Sequence, residues 1–325
     1  MDMKPPRIVV VGSVNADMVV KSRRIPAVGE TVTGGQFIMA AGGKGANQAV
    51  AAARLDAEVT LVAKVGQDMF GDQAEANYAR EGIRTDFLFR DPQHATGVAL
   101  ILVDDRGENL ISVASGANHL LTPADVEKAA ARIREADAVL LQLEIPIETV
   151  AFTARLATAA GVAVILDPAP APAEPLSREL LSHVACVKPN ETEAERLTGI
   201  AVVDEASALK AAQALLAAGA RQAIVTLGAK GAVWAIEGKS GFVPGIAVEA
   251  VDSTAAGDAF SGGLGCALAR GQSLAEAVRY ASLVGALSVT RLGAQPSLPT
   301  AEELDRFATD VTQGCQALRG DGHRP

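Results

Sequence analysis

Short runs of β-branched residues alternate along this chain with longer Ala-rich stretches of helical period, and no other feature restricts its fold so strongly. Residues 7–11, 59–65, 137–142, 162–167, 185–188 and 223–227 read as strands, with helical patterns between most of them. Strand, helix and strand in succession imply right-handed crossovers and a mainly parallel sheet flanked by helices, so the fold class is α/β. With 49% hydrophobic residues but only 3% aromatics, the core must be filled by Ala, Val, Leu and Ile, as in such a sheet. Ligands of these sheets gather at the carboxyl ends of the strands, and the polar motifs of this chain follow its strands.

Two stretches break the rhythm. Residues 18–39 are mixed and turn-rich, and 96–115, TGVALILVDDRGENLISVAS, alternate as two strands around a DDRGE turn, an antiparallel hairpin. Neither lies between crossover helices. Both are expected in a small antiparallel β lid, formed by about 15–40 and 96–115, on a single domain spanning 1–325. A last helical pattern runs from Thr300 to about Leu318, and residues 319–325 are too polar and too rich in Gly and Pro to be expected to order.

The formal net charge of -9 repels nucleic-acid phosphates, and the basic residues form no run, so nucleic acid is excluded as a partner. An anion site on such a chain must be built locally, from backbone N–H groups, a few basic side chains and a metal ion. Cys186, Cys266 and Cys315 are far apart and lack metal-ligand spacing, so they read as idle thiols in a reducing compartment. MDMKPPRIVVVG has no apolar signal core and no segment reaches roughly 18 uninterrupted apolar residues, so no membrane association and a cytoplasmic location are expected.

The most informative segment is DSTAAGD, 252–258, which opens directly into a helical pattern. Ala255, Ala256 and Gly257 leave their N–H groups unobstructed at the positive end of a helix dipole, an anion hole for a phosphoryl group. Asp258 beside them can orient a hydroxyl and accept its proton, although the same position also suits a simple helix-stabilising acid. In AGGKGANQ, 41–48, glycines let backbone approach a ligand while Lys44 and Asn47 supply donors to a polyhydroxylated molecule. The spacing is not that of a P-loop, because Ala46 stands where that motif needs a hydroxyl.

Asn15 and Asp17 follow the first strand and can read sugar hydroxyls or serve as turn residues, and Glu144 is open to the same two readings. No G-x-G-x-x-G follows that strand, which excludes a dinucleotide oxidoreductase. Asn190 and Glu193 fit a capping box as readily as a site for hydrated magnesium. Residues 226–231, TLGAKG, form a glycine turn that either passes beneath a nucleotide or closes a hairpin.

Taken in order, GSVNAD, AGGKGANQA, TGVALILVDDRGEN, QLE, NETEAE, VTLGAKG, DSTAAGD and TRLGAQPS make the chain resemble the phosphofructokinase-B-type sugar kinase family from Arg7 to about Pro299, with NAD, NETEAE and GAQPS pointing to its ribokinase branch. The resemblance implies Asp258 as catalytic base, Ala255, Ala256 and Gly257 as the hole for the γ-phosphate, and Asn15, Asp17, Gly43, Lys44, Asn47 and Glu144, with Asp258, as the ribose site. It further implies that Asn190 and Glu193 organise magnesium and phosphates, and that Thr226, Leu227, Gly228, Ala229, Lys230, Gly231, Gly257 and Ser282 line the nucleotide pocket with Asn190. Asp252, Thr254, Ser288, Arg291, Gly293 and Ser297 match positions that enclose an activating potassium ion, largely through backbone oxygens. A homodimer paired through the lid is implied as well.

The chain departs from the family pattern at Ala41, where Pro is frequent, and at Met18, where His is common, both close to the sugar pocket and lid. The expected reaction is transfer of the terminal phosphoryl of ATP to the 5-hydroxyl of D-ribose. The alternatives are a kinase of the same family acting on deoxyribose, a nucleoside or another small sugar, and a catalytically silent sugar- or nucleotide-binding regulator.

Overall fold

In the computed structural model, which describes residues 4–320, the strands are β1 (Arg7–Val11), β2 (Asn15–Lys21), β3 (Gln36–Gly42), β4 (Glu58–Gly66), β5 (Arg84–Asp91), β6 (Gly97–Val103), β7 (Asn109–Ala114), β8 (Ala138–Leu141), β9 (Ala163–Leu166), β10 (Cys186–Val187), β11 (Gln222–Thr226), β12 (Gly231–Ile236) and β13 (Lys239–Pro244). Nine of them make one sheet, in the order β13-β12-β11-β10-β9-β8-β1-β4-β5. Every pairing from β5 to β11 is parallel, and β12 and β13 add an antiparallel edge. The chain builds outward from β1 on one side and then returns to place β8 on the other. A crevice therefore opens at the carboxyl ends of β1 and β8.

Side chains alternate across β1: Ile8 and Val10 join one core, Val9 and Val11 the other. The first core is closed by helices whose small residues let them approach closely. A Cβ on Gly262 of the Ala256–Ala269 helix would lie 2.6 Å from the Ala51 Cβ of the Lys44–Arg54 helix, and one on Gly263 would lie 2.8 Å from Val284 Cγ2 of the Leu274–Ser288 helix. Dense Ala and Gly packing thus replaces aromatic bulk.

All the strands expected in the main sheet are present, with ends shifted by a residue or so. Three others escaped the sequence reading. β5 is an edge strand whose RTDFLFRD sequence is charged at both ends, and β12 and β13 turn on Glu237-Gly238, outside the common hairpin pairs. The second sheet has the order β3-β2-β6-β7. Its β6–β7 pair is the expected antiparallel hairpin, the turn-rich stretch supplies a second hairpin of β2 and β3, and, contrary to a wholly antiparallel lid, β2 and β6 run parallel at its centre. Each hairpin leaves the body by its first strand and returns by its second, so the two outgoing strands lie side by side. The last helix spans Ala301–Gly320. Of the tail expected at 319–325, Arg319 and Gly320 belong to this helix, and residues 321–325 lie outside the described residues, as does the side chain of Cys315.

The glycines of the segment after β3 have a packing role that the sequence does not announce. Gly43 has φ +91°, and a Cβ on Gly45 would sit 2.5 Å from Ser13 N and 2.7 Å from Gly12 Cα. Both contacts are to backbone, so β1 and the helix would have to separate. Gly45→Ala is expected to cost on the order of 1–3 kcal/mol in chemical unfolding. Gly257→Ala, whose Cβ meets only Lys188 Nζ at 3.7 Å, should change stability by less than about 1 kcal/mol.

Candidate active site

The segments after β1, β8, β9 and β10 converge on the N-termini of the Lys44–Arg54 and Ala256–Ala269 helices. Ala255 precedes the second of these with φ 59° and ψ 11°, a left-handed conformation that costs a non-glycine residue about 1 kcal/mol or more. No side chain caps this helix. Of its first-turn N–H groups, that of Ala256, expected in the anion hole, donates to Ser253 O at 3.2 Å, while that of Gly257 keeps its capacity for an anion at the positive end of the dipole.

Asp258 lies in that first turn and is 5% exposed. Its Oδ2 accepts a hydrogen bond from Asn47 Nδ2 at 2.9 Å and its Oδ1 one from Gln48 Nε2 at 3.2 Å. Burial, opposed by the Lys44 charge and reinforced by Asp167, pushes its carboxyl up to about 6. A carboxylate poised there can take a proton from a hydroxyl near neutral pH.

Lys44 opens its helix after Gly43, which offers no side-chain cap. Glu144 fills that role: its Oε2 accepts from Lys44 N at 3.0 Å and from Ser13 Oγ. Burial disfavours the Lys44 ammonium, but Asp258, Asp167, Glu144 and Glu193 outweigh it and hold this group firmly cationic. Asn15 is 6% exposed, and its Oδ1 accepts from Asn118 Nδ2 at 2.7 Å, which leaves its own amide hydrogens as what it can offer. Asp17 lies tight against Gly42, where a Cβ would come within 2.2 Å of Oδ2. Burial, then the charges of Glu144 and Asp258, push its carboxyl up to about 7. Asn47 faces Asp258 directly.

Asn190 and Glu193 form the capping box, each side chain accepting the other's backbone N–H at 2.9 Å. One oxygen of Glu193 is left over, and its carboxyl is raised by burial and then by Asp167. That donor set fits a magnesium ion that keeps most of its waters rather than one bound directly. Among the described residues no three His, Cys, Asp or Glu side chains converge for a metal. Asn190 bridges to Thr226, which brings the 226–231 turn beside the box. In that turn Leu227 is buried, Gly228, Ala229 and Lys230 are exposed, and Gly231 begins β12. Ser282 Oγ donates to Val278 O at 2.8 Å, so its hydroxyl is engaged within its own helix.

Asp252, Thr254 and Gly293 meet: Oδ1 of Asp252 accepts from Thr254 Oγ1 at 2.6 Å and Oδ2 from Gly293 N at 2.8 Å. Burial works against this carboxylate, yet these hydrogen bonds hold it below the usual range. Arg291 turns away to Glu303 at 3.0 Å, and the hydroxyls of Ser288 and Ser297 bond to Gly285 O and Ala294 O. A carboxylate with nearby loop carbonyls suits a large hard cation, with none of these other side chains as ligands.

Sequence reasoning missed Gln142, Asp167 and Lys188. Each stands immediately after a parallel strand, the one signal that could have found them. Lys188 and Asp167 form an ion pair at 3.3 Å with side chains 3% and 4% exposed, and Lys188 Nζ lies 3.4 Å from Gly257 O. Asn118, Gln48 and Gln295 were missed as well, because neutral amides announce no role until their partners are known.

A buried carboxylate beside a helix N-terminus that no side chain caps, with two lysines and several further carboxylates at the strand ends, is the geometry of a phosphoryl-transfer enzyme for a hydroxylated acceptor. Residues 5–301 match the model of the pfkB family of carbohydrate kinases, and the chain belongs to that family. It is 45% identical to the ribokinase of Haemophilus influenzae over 300 residues, 92% of this chain and 97% of that protein. It is 38% identical to the deoxyribokinase of Salmonella typhimurium over 92% of this chain and 98% of that one. The structure of Arabidopsis thaliana ribokinase complexed with ribose and ATP superposes with a TM-score of 0.85 at 33% identity, covering 94% of this chain and 99% of the other.

Asp17 tests the electrostatics without any substrate. Its carboxyl ionises near 7 when folded and near 4 when unfolded, so ionising it opposes folding fully above pH 7 and not at all below about pH 4. Asp17→Asn should therefore stabilise the ligand-free protein at pH 8 by on the order of 2–4 kcal/mol, a gain that fades as pH falls through 7 towards 4. Thermal unfolding across that pH range reads it.

Proposed function

We propose that the chain transfers the γ-phosphoryl group of ATP to the 5-hydroxyl of D-ribose, giving ribose 5-phosphate and ADP. The observation that carries this reading is the buried Asp258 in the first turn of a helix that no side chain caps. Asp258 takes the proton of the 5-hydroxyl as that oxygen bonds to phosphorus, and the bond from phosphorus to the ADP oxygen breaks. The N–H groups of the 255–257 turn face the charge that develops on the phosphoryl oxygens.

Asn15, Asp17, Gly43, Lys44, Asn47 and Glu144 surround the sugar, and Asn190, the 226–231 turn, Gly257 and Ser282 the nucleotide. Glu193 and Asn190 would hold a hydrated magnesium ion, which would supply neutralisation of phosphate charge there. Potassium would sit by Asp252 and Thr254 with carbonyls of Ser288, Arg291, Gly293 and Ser297, next to the turn that shapes the anion hole. Deoxyribose is the second reading, favoured by the deoxyribokinase relatives at 38% identity. A cytoplasmic setting belongs to the same proposal, consistent with the free, buried thiols of Cys186 and Cys266.

The lid supports a homodimer. Phe37, Ile38 and Met39 on β3, Leu100 on β6, and Leu110, Ile111 and Val113 on β7 are all exposed, Phe37 by 63%. Adjacent strand residues point to opposite faces, so apolar side chains lie on both sides of the sheet, one for the crevice and one for a second copy. Leu110 pairs with Leu102 and through it with Val20 and Phe37, on the face opposite Asp17, so Leu110→Glu is expected to shift the protein from dimer to monomer in sedimentation velocity.

The reaction is tested by ADP release with ATP, magnesium and potassium, comparing ribose with deoxyribose, fructose, adenosine and inosine. Ribose should give the highest kcat/KM; deoxyribose leading would replace the acceptor, and no turnover would leave a binding protein. Asp258→Asn should lower kcat by at least ~100-fold while sugar binding, read by calorimetry, is retained.

A further inference from the structure

Two chains of neutral amides end on Asp258, one on each carboxylate oxygen. In the first, Asn77 Nδ2 donates to Gln295 Oε1 at 2.8 Å, Gln295 Nε2 to Asn47 Oδ1 at 3.3 Å, and Asn47 Nδ2 to Asp258 Oδ2 at 2.9 Å. In the second, Gln142 Nε2 donates to Gln48 Oε1 at 2.6 Å, and Gln48 Nε2 to both Asp258 Oδ1 at 3.2 Å and Asp167 Oδ2 at 3.0 Å. In every link the NH2 side points towards the carboxylate, so each bond polarises the next in the same sense. Apart from the half-buried Asn77 the chains are dry: Asn47, Gln48, Gln142 and Gln295 are 6%, 1%, 0% and 4% exposed. Gln142 is held in its orientation by shape, since its Oε1 packs against Gly12, where a Cβ would lie 2.0 Å away, and finds no partner.

We infer that Gln142 and Gln295, neither of which touches Asp258, are positioning residues that tune this carboxylate as a proton acceptor through Gln48 and Asn47. The inference rests on Asp258 being the base. An amide N–H on each oxygen favours the ionised form and fixes the plane of the carboxylate. A chain deprived of its outer member lets the inner amide rotate, and the carboxylate loses an aligned donor. The charged groups around Asp258 are Lys44 from its helix, Asp167 after β9, Lys188 after β10, Asp17 on β2, Glu144 after β8 and Glu193 at the capping box. None is altered by changing Gln142 or Gln295.

The test is the pH dependence of kcat/KM for Gln142→Met and Gln295→Met against the unaltered enzyme, with Asp258→Asn in the same series. Loss of a donor makes the carboxylate harder to ionise, so the acidic limb should move to higher pH by on the order of one unit. At pH 7 kcat should fall ~10-fold or more, with KM for the sugar changed less than ~3-fold. Rates that drop with the acidic limb unmoved would mean a merely structural role and overturn the inference. Active Asp258→Asn would instead overturn the assignment of the base, so the two failures are distinguishable. Gln295 lies on the separate loop after Gly293, so if Gln142→Met does not fold, Gln295→Met carries the test alone.

Discussion

The molecule is organised around charge buried at the carboxyl edge of its main sheet. Asp258 and Asp167 lie out of water, and carboxylates so placed are tolerated only where cations and hydrogen-bond donors meet them. Lys188 lies 3.3 Å from Asp167, Lys44 stands among four carboxylates, and Gln48 donates to both aspartates. These groups arrive from four segments of the chain, so the sheet order, the close-packed glycines and the small-residue helices all serve to hold them together. The imbalance that persists in the ligand-free crevice, with Asp17 and Asp258 both raised, is one that hydroxyls and proton transfer can relieve.

Much of the fold was legible because buried parallel strands are continuous apolar runs whose period differs sharply from that of helices. β5 and β13 were not, since these strands mix polar and apolar residues, and the apolar run of β12 turns back on Glu237-Gly238, which gives no common hairpin signal. The site divided along similar lines. Asp258, Lys44 and Glu144 stand in segments whose residue types already suggest anion binding or hydroxyl recognition, and the structure brings them into one crevice. Gln48, Gln142, Gln295 and Asn118 were invisible because an amide acquires a role only from the partners that long-range folding gives it. The side chains of Ser288, Arg291 and Ser297 are bonded elsewhere, which agrees with an expectation that rested on their backbone oxygens, and the Ser282 hydroxyl is engaged within its own helix.

Ala255 adds a different constraint. A left-handed alanine in the turn before the Ala256–Ala269 helix is strained, and it persists because neighbouring contacts over-determine it, including Ser253 O accepting from Ala256 N at 3.2 Å. Asp252 anchors the preceding residues to Gly293. The open N-terminus is therefore built before any phosphate arrives, and little reorganisation is left for the moment of transfer.

The parallel pairing of β2 with β6 ties the second sheet to the body at both ends of both hairpins. Asn15 and Asp17 lie on β2 itself, and β3 runs into Gly42, next to Gly43 and Lys44. Residues proposed to hold the sugar thus lie on the second sheet or at its root. Any movement of this plate would therefore change the grip on a bound molecule and the access of water by the same displacement, so that letting go of product and reopening to solvent would be one mechanical event.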